Sequence, residues 1–90
     1  MEFDWDDKKA RKNLSKHGIA FSEAATVFGD QFAITFEDPD HLIDENRFPT
    51  FGYSGMNRLL AVIHCQCHGK TRIISARSAT KHERKIYEEG

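Results

Sequence analysis

Cysteine, proline and glycine are all scarce in this 90-residue chain, at two, two and six residues. So little proline and glycine excludes a collagen-like or low-complexity polymer, and two cysteines cannot build the disulfide framework of a small secreted domain. Cys65 and Cys67 form a C-x-C, and residues two apart on an extended chain point the same way without being well placed to bond each other. They are expected as reduced thiols, serving as small apolar residues at a strand end. No apolar run approaches the roughly 18 to 20 residues of a membrane span. The start, MEFDWDDKK, has neither the basic end nor the apolar middle of a signal peptide. The chain reads as a single cytoplasmic domain over 1-90, without a membrane partner.

The most informative absence is one of sign. Residues 19-46 contain no Lys or Arg, while Glu23, Asp30, Glu37, Asp38, Asp40, Asp44 and Glu45 give that stretch a charge of -7. From 47 to 86 the balance reverses to +7, because Arg47, Arg58, Lys70, Arg72, Arg77, Lys81, Arg84 and Lys85 face Glu83 alone. The overall charge of -1 therefore conceals a basic C-terminal half suited to phosphate. The alternative is that the two halves neutralise each other through ion pairs.

Carboxylates at Asp4, Asp6 and Asp7 precede a lysine-rich helical pattern that stops at Gly18, which predicts a helix over 7-17. Its inward stripe, Ala10, Asn13, Leu14 and His17, is half polar. Asn13 and His17 either hydrogen-bond backbone near the helix end or, for His17, stand at the rim of a site. Phe21, Ala24, Ala25 and Phe28 follow helical spacing and predict a second helix over 21-28. QFAITF at 31-36 is strand-like, and EDPDHLIDEN at 37-46 reads as an acidic loop. RFPTFGYSG, RLLAVIHCQC and KTRIISAR are three further strand patterns, separated by the turn signals Ser54-Gly55-Met56-Asn57 and His68-Gly69. Pro49 argues for an edge or an irregularity in the first of them. Thr80 and Glu83 form a T-x-x-E capping box that opens a last helix over 81-89.

The expected fold is α+β: two N-terminal helices, a four-stranded antiparallel meander and a C-terminal helix. The helices should cover one face of the sheet and leave the other wet. On the strand from Lys70 to Arg77, simple alternation groups Arg72, Ile74 and Ala76 on one side and Thr71, Ile73, Ser75 and Arg77 on the other.

Metal chemistry finds little support in these residues. His64, Cys65, Cys67 and His68 are close in sequence, but alternation turns the thiols and the imidazoles to opposite faces. The acidic loop lacks the ligand spacing and mid-loop glycine of an EF-hand. There is no G-x-S-x-G, no P-loop and no G-x-G-x-x-G. What remains is a set of strand arginines, Arg47, Arg58, Arg72 and Arg77, with His17, Glu45, Ser75 and Tyr87 as candidate neighbours. Guanidinium groups clamp phosphate in pairs and stabilise the charge of a pentacoordinate phosphorus. With a proton carrier they would suffice for cleaving RNA through its own 2'-hydroxyl, with no metal or other cofactor.

Four stretches resemble the BrnT toxin family: FDWDDKKARKNLSKHGIAFSEAATVFGD, DPDHLIDENRF, GYSGMNRLLAVI and RIISARSATKHERKIYEE. N-x-x-K-H-G near the start, paired with R-I-I-S-A-R-x-A-T-x-x-E-R near the end, carries the likeness. The resemblance implies a RelE-like fold and a metal-independent endoribonuclease toxin that inhibits translation and growth. It also implies a partner, a BrnA-like ribbon-helix-helix antitoxin through which alone operator DNA is contacted. The family pattern falls on Lys16 and His17, on Glu45 and Arg47, on Arg58, and on Arg72, Ser75 and Arg77. His17, Glu45, Arg47 and Arg77 are the catalytic candidates, and Lys16, Arg58, Arg72 and Ser75 the RNA-binding ones. Asn57 departs from the glycine that often precedes Arg58, though asparagine tolerates positive φ. The competing reading is a non-catalytic module that binds nucleic acid or an acidic partner within a repressor complex.

Overall fold

A computed structural model of the chain describes residues 1–36 and 46–90. The Asp6 carboxylate accepts the amides of Lys8 at 2.8 Å and Lys9 at 3.1 Å, which starts helix α1, Asp7–His17. Gly18, at φ 71°, ends it by donating its amide to the Leu14 carbonyl. Helix α2, Phe21–Thr26, is shorter than its apolar stripe suggests, because the chain tightens into a 3₁₀ turn over Val27–Gly29. The Thr26 hydroxyl bonds back to the Glu23 carbonyl at 2.6 Å, and such a bond competes with continued α geometry. Helix α3, Lys81–Glu89, begins at Thr80 with both bonds of the capping box formed, as the T-x-x-E spacing predicts.

The sheet corrects the expected four antiparallel strands. Among the described residues it has five, β1 (Phe3–Asp4), β2 (Ile34–Thr35), β3 (Phe48–Tyr53), β4 (Leu59–Cys67) and β5 (Lys70–Ser78), in the order β1-β5-β4-β3-β2. The meander of β3, β4 and β5 is antiparallel, but β1 runs parallel to β5 through Phe3 opposite Thr71 and Asp4 opposite Arg72. Two residues carry no alternation to read, and their partner lies far along the chain. QFAITF contributes only Ile34 and Thr35 to the sheet, opposite Phe51 and Thr50. Both hairpin turns hold the positive φ that their residues permit, at Asn57 (60°) and at His68 and Gly69 (53° and 76°). Pro49 sits within β3 where the β2 pairing ends: its carbonyl accepts the Phe36 amide at 3.1 Å, but with no N–H it can return no bond.

The register slips between Ile63 and His64. Ile63 faces Ser75 while His64 faces Ile73, which leaves Ile74 as the extra residue of a bulge on β5. That slip overturns the simple alternation. Thr71, Ile73 and Ala76 are all buried, whereas Ile74 and Ser75 are partly exposed. The core between the sheet and the first two helices is built from Ile19, Phe21, Ala24, Val27, Leu60, Val62, Ile73 and Ala76, with Trp5 and Phe28 against it.

The second face is not wet throughout, contrary to expectation. Tyr53 alternates with Gly52, whose α-carbon lies against Val27 and Ala33, so Tyr53 points away from the 3₁₀ turn. There the Tyr87 ring of α3 meets it at 5.4 Å, and Phe36 meets Phe51 at 5.7 Å. Phe51, Leu59, Ala61 and Ile63, on the same face as Tyr53, are all buried. On the β5 side of that face Ser75 and Arg77 are polar and partly exposed.

Cys65 and Cys67 also depart from expectation. Their sulfurs are joined as a disulfide at the end of β4. The alternation that turns both side chains to one face also sets their Cα atoms 5.9 Å apart, within the range a disulfide spans.

Asn13 ties the first helix to the sheet. Its Nδ2 donates to the carbonyls of Ile19 at 2.9 Å and Ala76 at 2.8 Å, and its Oδ1 accepts the Ala76 amide at 3.1 Å. The amide thus takes the place of a neighbouring strand on the edge of β5 that β1 does not reach. Asn13→Ala would leave three buried backbone groups without partners, so a loss of about 2 to 4 kcal/mol is expected in urea unfolding.

Candidate functional site

Because Asn13 clamps the middle of α1 to Ala76, the C-terminal half of α1 runs beside Ile74 and Ser75. A groove of about 280 Å³ opens between them, with Lys9, Lys12, Lys16 and His17 on the helix wall, Ile74 and Ser75 on the strand wall and Asn13 at its base. The bulge creates the strand wall, since the extra residue brings both Ile74 and Ser75 toward the surface. Three of the sequence candidates, Lys16, His17 and Ser75, come together here. Lys9 and Lys12 were missed as site residues, although their spacing from Lys16 puts all three on one helical face.

The arginines stand elsewhere. Ser75 and Arg77 share the outer face of the sheet, opposite Ile63 and Ala61 respectively. Arg77 is held by Glu83 through two bonds of 2.6 and 2.9 Å, so each keeps the other charged: the guanidinium holds the carboxyl below its usual range and is itself raised. Arg72 lies near the other end of β5, bonded to Asp4 at 2.7 Å and opposite Cys65. Arg47 directly precedes β3, and continuing the β3–β4 register brings it into the row of Cys65 and Arg72. Glu45 lies outside the described residues, as does the acidic segment 37–45.

Arg58 is drawn away from the groove. Its guanidinium makes a two-point contact with Glu23, buried on α2, and the Ser54 hydroxyl donates to the same carboxylate at 2.7 Å. The bond from Arg58 is the main cause of a Glu23 pKa below the ordinary value. With the Gly55 amide donating to Thr26 Oγ1 at 2.7 Å, these contacts lash the β3–β4 hairpin to α2. Glu23 was not singled out in the sequence because it falls between the apolar residues of its helix. Tyr87 is also removed from the groove. Its hydroxyl donates to Asp30 Oδ2 at 2.7 Å, and burial followed by that carboxylate pushes its pKa up to about 12.

Among the described residues the Arg58–Glu23 pair joins the basic half to the acidic 19-46 stretch, as the neutralisation reading expected, whereas Arg72 pairs with Asp4 and Arg77 with Glu83, outside that stretch. The exposed cations of α1 remain. Lys9, Lys12 and Lys16 are all exposed and line one wall, while His17 stands exposed at the C-terminal end of the same wall. A phosphodiester seated there would meet ammonium groups along its backbone, a hydroxyl from Ser75 and an imidazole able to carry a proton. Among the described residues no group of three or more His, Cys, Asp or Glu side chains could hold a metal ion. No helix of the described residues is long and apolar enough to cross a membrane.

A model of the family described as "Ribonuclease toxin, BrnT, of type II toxin-antitoxin system" matches residues 5–83. The crystal structure of the Brucella abortus ribonuclease toxin, BrnT, is similar in fold at a TM-score of 0.70. The two chains are 25% identical, and the likeness covers 90% of this chain and 99% of that one. No curated protein matches the chain.

Proposed function

The chain belongs to the BrnT family of ribonuclease toxins from type II toxin-antitoxin systems, and we propose that it cleaves RNA without a metal ion at the groove between α1 and β5. The observation that carries this reading is the meeting of His17, Lys16 and Ser75 in one groove, from segments far apart in the chain. In the proposed reaction the RNA 2'-oxygen bonds to the adjacent phosphorus as the bond from phosphorus to the 5'-oxygen breaks. The products are a 2',3'-cyclic phosphate and a free 5'-hydroxyl. His17 takes the 2'-hydroxyl proton or returns one to the leaving oxygen, with Glu45 as the alternative or complementary carrier. Lys16 and the Ser75 hydroxyl hold the phosphate, and Arg77, two residues further along the same face, adds charge as it builds up on the phosphorus. Arg47 and Arg72 engage flanking phosphates. Arg58, bound to Glu23, acts on the fold of the hairpin more than on RNA.

The partner on this reading is a BrnA-like ribbon-helix-helix antitoxin, and operator DNA is reached through that antitoxin alone. A second reading is favoured by one observation: Arg58, Arg72 and Arg77 are each already paired with a carboxylate. A module that only binds nucleic acid or an acidic partner could keep those pairs intact.

Incubation of antitoxin-free protein with a defined RNA in excess EDTA separates the two. Fragments ending in 2',3'-cyclic phosphate are expected, and fewer of them from Arg77→Ala. Intact RNA after exposure to folded protein would favour the binding module.

A further inference from the structure

The groove has a direction. Lys9, Lys12 and Lys16 are spaced by three and four residues, so they form one ridge about 10 Å long at 1.5 Å per residue. His17 lies at the C-terminal end of that ridge, and Lys9 lies at the other. The opposite wall, Ile74 and Ser75, carries no charge. A cation row on one wall matches one sugar–phosphate backbone, whereas a duplex presents two. The groove holds about 280 Å³, room for the backbone of one strand beside the helix ridge. Ile74 is the apolar surface in the groove, and a base turned out of a stack can rest on such a surface.

We infer that the α1 ridge binds single-stranded RNA by its backbone, with Lys9 and Lys12 gripping two phosphates beyond the one held at Lys16 and His17. The inference rests on the reading of the groove as the RNA site. It adds a substrate form, an unpaired strand, and a footprint of at least three consecutive phosphates. Neither Lys9 nor Lys12 touches the reacting atoms, so both are binding residues and their effect shows in affinity and salt dependence.

The test uses a fluorescent single-stranded oligoribonucleotide with 2'-O-methyl groups throughout, which cannot be cleaved, and the same sequence as a duplex. Each neutralised phosphate contributes about -0.7 to the slope of log K against log salt for a single strand. Three contacts give a slope near -2, or about a twenty-fold loss of affinity between 50 and 200 mM salt. The Lys9→Gln, Lys12→Gln double variant should lie shallower by about 1.4, and the duplex should bind more weakly than the single strand. Lysine and glutamine have similar helix propensities and both positions are exposed, so α1 should survive the change. An unchanged slope, or a duplex bound as tightly as the single strand, overturns the inference. Cleavage of ordinary RNA by the unaltered protein is measured in parallel. If cleavage proceeds while the slope does not change, the ridge is wrong and the ribonuclease reading stands. If no RNA is bound or cut, both fall.

Discussion

His17→Gln is expected to lower the single-turnover rate of RNA cleavage by about 10²- to 10⁴-fold, the usual contribution of a positioned proton carrier. That range corresponds to about 3 to 5 kcal/mol of barrier. The effect should fall on the chemical step. His17 is exposed, so the substitution should change stability by no more than about 0.5 kcal/mol. Glutamine keeps hydrogen-bonding capacity and a similar reach but cannot exchange a proton near neutral pH. RNA affinity, measured with a non-cleavable strand, should therefore change little.

The companion variant Lys16→Gln separates binding from chemistry on adjacent residues. It removes a phosphate-holding cation without removing a proton carrier, so weaker affinity with a smaller loss of rate at saturating RNA is expected. A His17→Gln rate within threefold of the unaltered protein would move the proton transfer to another group, with Glu45 the first to replace. Ser75 has the same status as Lys16, since a hydroxyl in the groove can orient a phosphate and cannot act as a base at neutral pH.

Local chemistry made some of this legible in the sequence and topology hid the rest. The last helix could be read from Thr80 and Glu83, and the two hairpins from residues that tolerate positive φ. These signals act over four residues or fewer. By contrast, β1 is two residues long and pairs with Thr71 and Arg72, so no local pattern announces it. The bulge at Ile74 breaks the phase of β5, and alternation counted from Lys70 consequently assigns half of that strand to the wrong face. The packing of Phe36 on Phe51 and of Tyr87 on Tyr53 joins segments far apart in the chain, which the order of elements left open. At the site, helical spacing was enough to place His17 on a polar stripe. Its meeting with Ser75 required the Asn13–Ala76 contact, 63 residues apart. The charge count pointed to arginines, three of which are paired with carboxylates, while the cations that line the groove are lysines of α1 and His17. Net charge does not reveal which cations already have a carboxylate beside them.

Stability is expected to fall by about 3 kcal/mol as pH drops from 7 to 4, and His64 is the cause. The side chain is 6% exposed, edge-on to Phe28 at 4.9 Å, with Nε2 2.7 Å from Thr50 Oγ1. Thr50 Oγ1 is in turn 2.6 Å from Thr35 Oγ1. Nδ1 has no partner among the described residues, so an imidazolium would bury a charge with one N–H unbonded. Burial accordingly lowers the pKa from 6.5 to about 4. In the unfolded chain His64 takes up its proton near 6.5, while the native state refuses it until about 4. The unfolded state therefore binds more protons across that window. Stability is complete above 6.5 and is lost as pH falls toward 4, at 1.36 kcal/mol for each pH interval between the two values. For a domain of this length holding about 5 to 13 kcal/mol in all, the loss is a large fraction. Carboxylates such as Glu23 and Glu83, whose pKa values are lowered by arginine, also lose stabilisation in acid. Their loss begins near the ordinary carboxylate value of 4.5 and continues below it, so the two causes occupy different windows. Urea unfolding at pH 7, 6, 5 and 4 should show the decline beginning between 7 and 6. In His64→Gln, which can still bond Thr50 and does not titrate, stability should be nearly flat down to pH 5. A parallel decline in both proteins over that range would mean that His64 is not the group responsible.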